Sequence, residues 1–296
     1  MQKKNKDTVG SLLILLAGIL WGSMGLFVRR LSALGFDSLQ ITAGRLCFAA
    51  LFFWIILLCR PAQERRIRLA DLPLFLGLGL ASILFFTFCY FSAISLMSLS
   101  AAAILLYTSP IWVTLLSALL FHEKLTAAKL AALCMAFGGC VLVSGFGGGL
   151  TARGLLFGLG AGFGYGLYSI LGSIALRRYS AFTVTAWTFL IAALGAFCIC
   201  RPALMLATVS AAPSPGGTVL FFLLTGFVTA VIPFLSYTLG LRSVEAGKAA
   251  ILATVEPMVA SLLGVLVFRE RLALSAVCGI LLILGAVVLL SLPNKK

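Results

Sequence analysis

Residues 102–125 read AAILLYTSPIWVTLLSALLFHEKL, and residues 249–272 read AAILATVEPMVASLLGVLVFRERL. A shift of 147 residues, without a gap, lays one on the other. Ala102-Ala103-Ile104-Leu105 falls on Ala249-Ala250-Ile251-Leu252, Pro110 on Pro257, Phe121 on Phe268, Glu123 on Glu270 and Leu125 on Leu272. Apolar matches alone carry little weight in a chain this apolar; proline and glutamate matches in one register carry much more. The register extends to Gly79 on Gly226, Tyr90 on Tyr237 and Gly138 on Gly285. Near the start of each half it drifts to 144, with Ala17-Gly18 on Ala161-Gly162 and Gly22 on Gly166. The chain therefore reads as two copies of one unit, residues 1–148 and 149–296.

Outside the matched segments the pattern is one of long apolar runs. Ten can be read, at roughly 9–28, 39–59, 72–96, 99–121, 127–145, 154–176, 182–200, 217–240, 247–268 and 273–292, each near the ~20 residues that a helix needs to cross a ~30 Å hydrocarbon core. Hydrophobic residues make up 62% of the 296-residue chain and charged residues 10%, against roughly 45–50% and about 25% in soluble domains. The mean hydropathy is +1.17. A soluble fold would have to expose this surplus in large patches, which excludes a soluble enzyme, a disordered chain and a secreted disulfide scaffold. The fold expected is an all-α polytopic membrane protein of ten transmembrane helices. Five helices per unit is an odd number, so the second unit enters the membrane from the opposite face. The result is a 5+5 inverted repeat, the usual architecture of secondary transporters, whose substrate site lies near the midplane between the halves.

Charge sets the orientation. There are 22 Lys and Arg against 8 acids, a net +14. With the N-terminus inside, inside-facing segments hold 15 of the basic residues and outside-facing ones 6. By the positive-inside rule both termini are then cytoplasmic, and the net charge needs no nucleic-acid partner. The first run, though preceded by Lys3, Lys4 and Lys6, is too long for the apolar part of a signal peptide and reads as a retained span. The loop at about 201–216, with Pro202, Pro213, Pro215 and Gly216, shows no regular pattern. The eight cysteines lie mostly inside apolar runs without metal spacing, and Cys198-x-Cys200 is one residue short of a redox motif. His122 is the only histidine, so His122-Glu123 lacks a second zinc ligand. Neither a metal nor a cofactor is expected.

Intramembrane charge is the sharpest functional signal. Glu256 stands near the middle of its run and Arg45 several residues in from the end of its own. Such groups cost at least about 2.5–3.5 kcal/mol at a helix centre and normally face the protein interior. For Glu256 the readings are a proton carrier, a contact for a substrate ammonium, a gating ion pair, or a structural salt bridge. For Arg45 they are a gating or coupling role, or a side chain that snorkels outward. Pro110 and Pro257 each remove an N–H and free a carbonyl four residues back, giving either a hinge beside a polar cavity or a packing kink; Pro233 lacks a counterpart and reads as a kink. Trp21, Tyr90, Tyr107 and Tyr237 suit an organic ligand, including a cationic one, with an interfacial aromatic belt as the alternative; Trp112, Tyr165, Tyr168 and Trp187 lie in similar positions. Gly154, Gly158, Gly162 and Gly166 form a four-residue ladder, as Gly18 and Gly22 do in part, and read as close helix packing.

These features together resemble the drug/metabolite transporter superfamily, in particular its ten-helix members built from two EamA domains. The matching residues are Leu20-Trp21-Gly22-Ser23, Arg45, Pro110 with Phe121-His122-Glu123-Lys124-Leu125, and Glu256-Pro257 with Phe268-Arg269-Glu270-Arg271-Leu272. The second half departs from the first where Tyr165 replaces the tryptophan and Thr188 stands near the place of Arg45. The resemblance implies a secondary transporter in a bacterial inner membrane, moving small organic metabolites such as amino acids, amines or drug-like compounds by alternating access, most often as an exporter. Its partners would be a small-molecule substrate, the lipid bilayer and protons as a coupling ion. An uptake carrier of the same fold is the alternative. An integral membrane enzyme would need a cluster of His, Asp or Glu near one membrane face.

Overall fold

A computed structural model describes residues 2–97, 99–145, 151–269 and 273–291, all helix and connecting loop with no strand among them. The helices in the first half are α1 (Gln2–Gly22), α2 (Met24–Ala33), α3 (Ser38–Leu58), α4 (Leu72–Leu76), α5 (Phe85–Leu96), α6 (Leu99–Leu106), α7 (Ser109–Phe121) and α8 (Ala127–Ser144). Those in the second half are α9 (Ala152–Ala175), α10 (Ala181–Ile199), α11 (Pro202–Ala211), α12 (Pro215–Gly226), α13 (Ile232–Gly240), α14 (Ala246–Leu252), α15 (Val255–Phe268) and α16 (Leu274–Ser291). Several pieces join end to end. Among the described residues nine continuous helices are long and apolar enough to cross a membrane, and α16 is apolar over a slightly shorter stretch, Leu274–Leu290. The segment at 201–216 is not irregular, as its composition suggests. It carries α11, which starts on Pro202 and buries none of its residues.

The sequence dictates the helix starts. Asp37 accepts the Gln40 N–H at 2.8 Å while Gln40 Oε1 accepts the Asp37 N–H, a complete capping box for α3. Thr126, Thr151, Ser180 and Ser214 cap α8, α9, α10 and α12 in the same way with one side-chain oxygen each. Such caps contribute about 1 kcal/mol apiece by satisfying amides that the helix leaves open.

The irregularities inside the spans matter more for function, and apart from the break at Ser23 they come in pairs. The backbone widens to π-helical turns at Gly77–Leu84 between α4 and α5, and at Phe227–Val231 between α12 and α13. Breaks fall at Tyr107–Thr108 and at Ala253–Thr254. Among the described residues, the two non-glycine residues with positive φ are His122 (54°) and Arg269 (59°), ending α7 and α15 in the left-handed conformation; they stand 147 residues apart.

Packing follows the same exchange. α1 lies on α13 and α5 on α9; α3 pairs with α10 and α8 with α16. α1 also runs along α14 and α15, as α9 does along α6 and α7. Glycines permit these approaches. A Cβ at Gly22 would stand 2.7 Å from the Glu256 carbonyl oxygen, and one at Gly162 would stand 2.6 Å from that of Leu105. The interior is filled by Phe53, Phe75, Phe189 and Phe222, whereas Leu119, Leu156 and Leu266 are more than two-thirds exposed, as a lipid-facing surface requires.

Candidate functional site

The break in the first span sets the site. Helix α1 ends at Gly22, and Ser23 Oγ turns back onto the Leu20 carbonyl at 2.7 Å. Trp21, at the last turn, points inward and is only 7% exposed. Its indole meets Phe234 at 5.0 Å, Tyr237 at 5.4 Å and Tyr165 at 6.1 Å between ring centroids. The Tyr165 hydroxyl donates to Glu256 Oε2 at 3.2 Å.

Glu256 is not at the middle of a continuous helix. It is the second residue of α15, just after the break at Ala253–Thr254, so its carboxylate stands at a helix N-terminus deep in the protein. The dipole and the open amides there favour an anion. The Ala253 carbonyl that Pro257 releases accepts the Glu256 N–H instead, at 3.1 Å. Pro110 occupies the matching place in α7, where Ser109 stands at the position of Glu256.

Around the carboxylate, Tyr107 faces it, and Tyr90 and Arg45 lie within range of its charge. Arg45 does not snorkel: it is 7% exposed, with Nη1 2.7 Å from Met24 Sδ. The ion pairs found among the described residues do not join Arg45 to Glu256. Tyr237 is buried, and its hydroxyl shares a 2.7 Å hydrogen bond with Ser169 Oγ. The structure thus brings Trp21, Tyr90, Tyr107, Tyr237, Glu256 and Arg45 into one neighbourhood. It draws in Tyr165, one of the further aromatics of the sequence, and adds Ser169 and Ser109, which stand out by no charge and no repeat match.

Two cavities lie along the same helices. The larger, about 1100 Å³, is a vestibule at the end of the molecule where α1 begins and α16 ends; Ser11, Glu123, Lys129, Ser173, Arg177 and Glu245 line part of it. The smaller, about 20 Å³, lies deeper, between Trp21, Ser109, Tyr165, Ser169, Phe234 and Tyr237. On the vestibule wall Lys129 Nζ meets Glu123 Oε2 at 2.6 Å and Glu245 Oε2 at 3.2 Å. Glu123 Oε1 also accepts the Ala246 N–H at 3.0 Å. Glu123, a motif residue, therefore ties the first half of the chain to the start of α14. Its repeat counterpart Glu270, with Arg271 and Leu272, lies outside the described residues. Among the described residues no three His, Cys, Asp or Glu side chains gather as a metal site.

The model of the EamA-like transporter family matches the chain twice, over residues 8–145 and 152–292. A protein of Archaeoglobus fulgidus named "Uncharacterized transporter" is 31% identical over 95% of both chains. "Uncharacterized transporter YojE" of Bacillus subtilis is 29% identical over 94% of this chain and 92% of its own. A solved crystal structure at 22% identity covers 95% of this chain and 96% of its own with a TM-score of 0.78, a likeness of fold.

Proposed function

This chain belongs to the EamA-like transporter family and is a membrane transporter, and we propose that it is a secondary carrier moving small organic metabolites by alternating access, in the export direction. The observation that carries this reading is the stacking of the two cavities. A wide vestibule reaches one face, and a separate small space, one turn further along α9 from Ser173 to Ser169, is walled by Trp21, Tyr165 and Tyr237, with Tyr165 hydrogen-bonded to Glu256. That arrangement suits a carrier open to one side.

The transmembrane arrangement we propose is ten spans in two inverted units, residues 1–148 and 149–296, with both termini cytoplasmic in a bacterial inner membrane. The twofold family match, the paired breaks and π turns, and the exchange of helix contacts support it. Rocking of the units would pivot at the interrupted helices, where Pro110 and Pro257 leave the backbone ladder incomplete.

The substrate class follows from the walls. A carboxylate, a buried guanidinium and aromatic faces suit amino acids, amines and drug-like organic cations. Glu256 would take a proton when the site is empty of cation and release it when an ammonium arrives, which couples flux to the proton gradient. A thermal-shift screen of purified protein against amino acids, primary amines and cationic dyes tests this. Stabilisation by an ammonium-bearing compound, lost in Glu256→Gln, is expected. Stabilisation that the variant retains would remove Glu256 from the site.

A further inference from the structure

Hydroxyl groups along α9 stand in a line that runs from the vestibule toward Glu256. Tyr165, Ser169 and Ser173 follow one another at intervals of four residues, on one face of the helix and about 6 Å apart along its axis. Ser173 lines the vestibule. Ser169, one turn deeper, shares its 2.7 Å hydrogen bond with the Tyr237 hydroxyl, and both line the small cavity. Tyr165 lines that cavity from the far side and donates to Glu256 Oε2. About 20 Å³ is room for one water, since a site of roughly 10–15 Å³ suffices, and this one offers the polar partners that a water needs.

We propose that Ser173, the Ser169–Tyr237 pair, one water in the small cavity and Tyr165 form a proton relay that connects the vestibule to Glu256. The proposal rests on the reading of Glu256 as a proton carrier. A hydronium in the vestibule gives up a proton to Ser173, a vestibule water carries it across the ~6 Å to Ser169, and each oxygen in turn passes its own proton on as it receives one. A new O–H bond forms at Glu256 Oε2, water remains behind in the vestibule, and every relay hydroxyl ends as it began. Running in reverse, the same steps return the proton. The groups facing Glu256 from the other elements are Arg45 of α3, Tyr90 of α5, Tyr107 at the α6–α7 break and Cys140 of α8. None of them is among the residues that line the vestibule, so α9 supplies the connection to it. Tyr168 also lines the small cavity, but Thr238 Oγ1 donates to the Phe234 carbonyl, so the Tyr168 hydroxyl donates to Thr238 at 2.7 Å and has no proton to hand on toward Tyr165.

Time-resolved infrared spectroscopy after a pH jump, on the full chain in lipid nanodiscs, reads the acceptor directly and needs no substrate. The Glu256 carboxyl band is identified by its absence in Glu256→Gln. Tyr237→Phe and Ser169→Ala should leave the final amplitude unchanged and slow its appearance at least tenfold, while Tyr168→Phe keeps the wild-type rate. Ser169→Thr, which restores a hydroxyl, should recover most of the rate. Equal rates in wild type, Tyr237→Phe and Ser169→Ala would overturn the relay and leave the coupling role of Glu256 standing. Slowing in Tyr168→Phe as well would overturn it as a general loss of core order. A spectrum with no band sensitive to Glu256→Gln would overturn the relay and the coupling role together.

Discussion

At the scale of single residues, the contacts of Glu256 speak against a salt bridge with Arg45. Its hydrogen-bond partner is a neutral tyrosine, and no ion pair joins it to Arg45. Breaking a buried ion pair costs about 3–5 kcal/mol; Glu256→Gln should cost less, at most about 1.5–3 kcal/mol for one hydrogen bond to a charged group. The variant is expected to express and melt close to wild type while proteoliposome flux loses its pH dependence; a collapse in melting temperature would restore the structural salt bridge. Lys129 presents the opposite case. Its side chain is 5% exposed and that of Glu123 8%, but Glu245 is 63% exposed. Lys129→Met leaves the Glu123 carboxylate buried without its cation and should destabilise by about 3–5 kcal/mol, whereas Glu245→Ala should stay within ~1 kcal/mol. Melting of the two variants in one detergent checks the contrast. The charged and repeat-matched members of the site were legible because a charge in an apolar run, or a tyrosine in register with another, is conspicuous. Ser169 and Ser173 were not, because serine is common in membrane helices; the four-residue spacing from Tyr165 was the one available sign.

At the scale of elements, close packing at the breaks makes a direct prediction. A methyl group at Gly22 would meet the Glu256 carbonyl oxygen and the Val259 Cβ, both at 2.7 Å, while one at Gly25 would meet nothing within 4 Å. Gly22→Ala should therefore destabilise by about 1–3 kcal/mol through overpacking, and Gly25→Ala should be neutral or slightly stabilising through helix propensity. Thermal unfolding distinguishes them, and equal melting temperatures would contradict the close approach of α1 to α15. The α3–α4 connection behaves differently, because polar ties hold it. Ser180 Oγ donates to Glu64 Oε2 at 2.7 Å, Thr183 Oγ1 to the Glu64 carbonyl, Trp187 Nε1 to the Arg65 carbonyl and Tyr179 to Asp71 Oδ2. The Ser180 hydrogen bond, helped by Arg60, holds the Glu64 carboxyl below the usual carboxylate range. A lowered folded-state pKa contributes stability above the ordinary value of about 4.3 and loses it as pH falls through the lower one. Proteolysis at residues 59–71 should thus rise in acid below about pH 4, and Ser180→Ala, which removes the hydrogen bond itself, should raise cleavage already at neutral pH and flatten its rise in acid while weakening the α10 cap by about 1 kcal/mol. A pH profile that Ser180→Ala leaves unchanged would show that the tie does not hold the loop. Helix α11 on the opposite connection has no such network; Met205 and Val209 rest on the apolar cluster around Leu31, Phe36 and Phe222. With proline at its start and no polar–apolar period, nothing in its sequence distinguished it from loop.

At the scale of the whole molecule, apolar run length located the helices to within a few residues, because hydrocarbon thickness sets span length independently of packing. The π turns and the breaks at Tyr107–Thr108 and Ala253–Thr254 were less legible. Proline marks a missing hydrogen bond, not how the chain reroutes around it, and Gly77–Leu84 widens with no proline at all. The number of crossings is the quantity on which orientation turns. Between residues 65 and 210 lie five helices of spanning length, Leu69–Leu96, Ala101–Phe121, Ala127–Ser144, Ala152–Ala175 and Ala181–Ile199. Five is odd, so reporters at 65 and 210 should give opposite signals, cytoplasmic and external respectively given the Lys/Arg bias. Helix α16 decides the other end. Nine crossings would leave the chain after Ser291 on the side of residue 210; ten would return it to the side of residue 65. The ten-crossing outcome is expected on physical grounds. α16 has 18 residues, the same as α8, which itself qualifies as a span, and at 1.5 Å per residue each is about 27 Å long. The two pack at backbone contact, a Cβ at Gly139 standing 2.7 Å from the Gly279 carbonyl oxygen and one at Gly279 standing 2.6 Å from that of Gly139. A helix held that closely along a spanning partner crosses with it. Leu274 and Leu281 are more than 60% exposed and Val288 is 58% exposed, which suits lipid along its whole length. A reporter joined after Ser291 should therefore match the one at residue 65. A match with residue 210 instead would confine α16 to one membrane face and break the pairing of α8 with α16 on which the inverted arrangement depends.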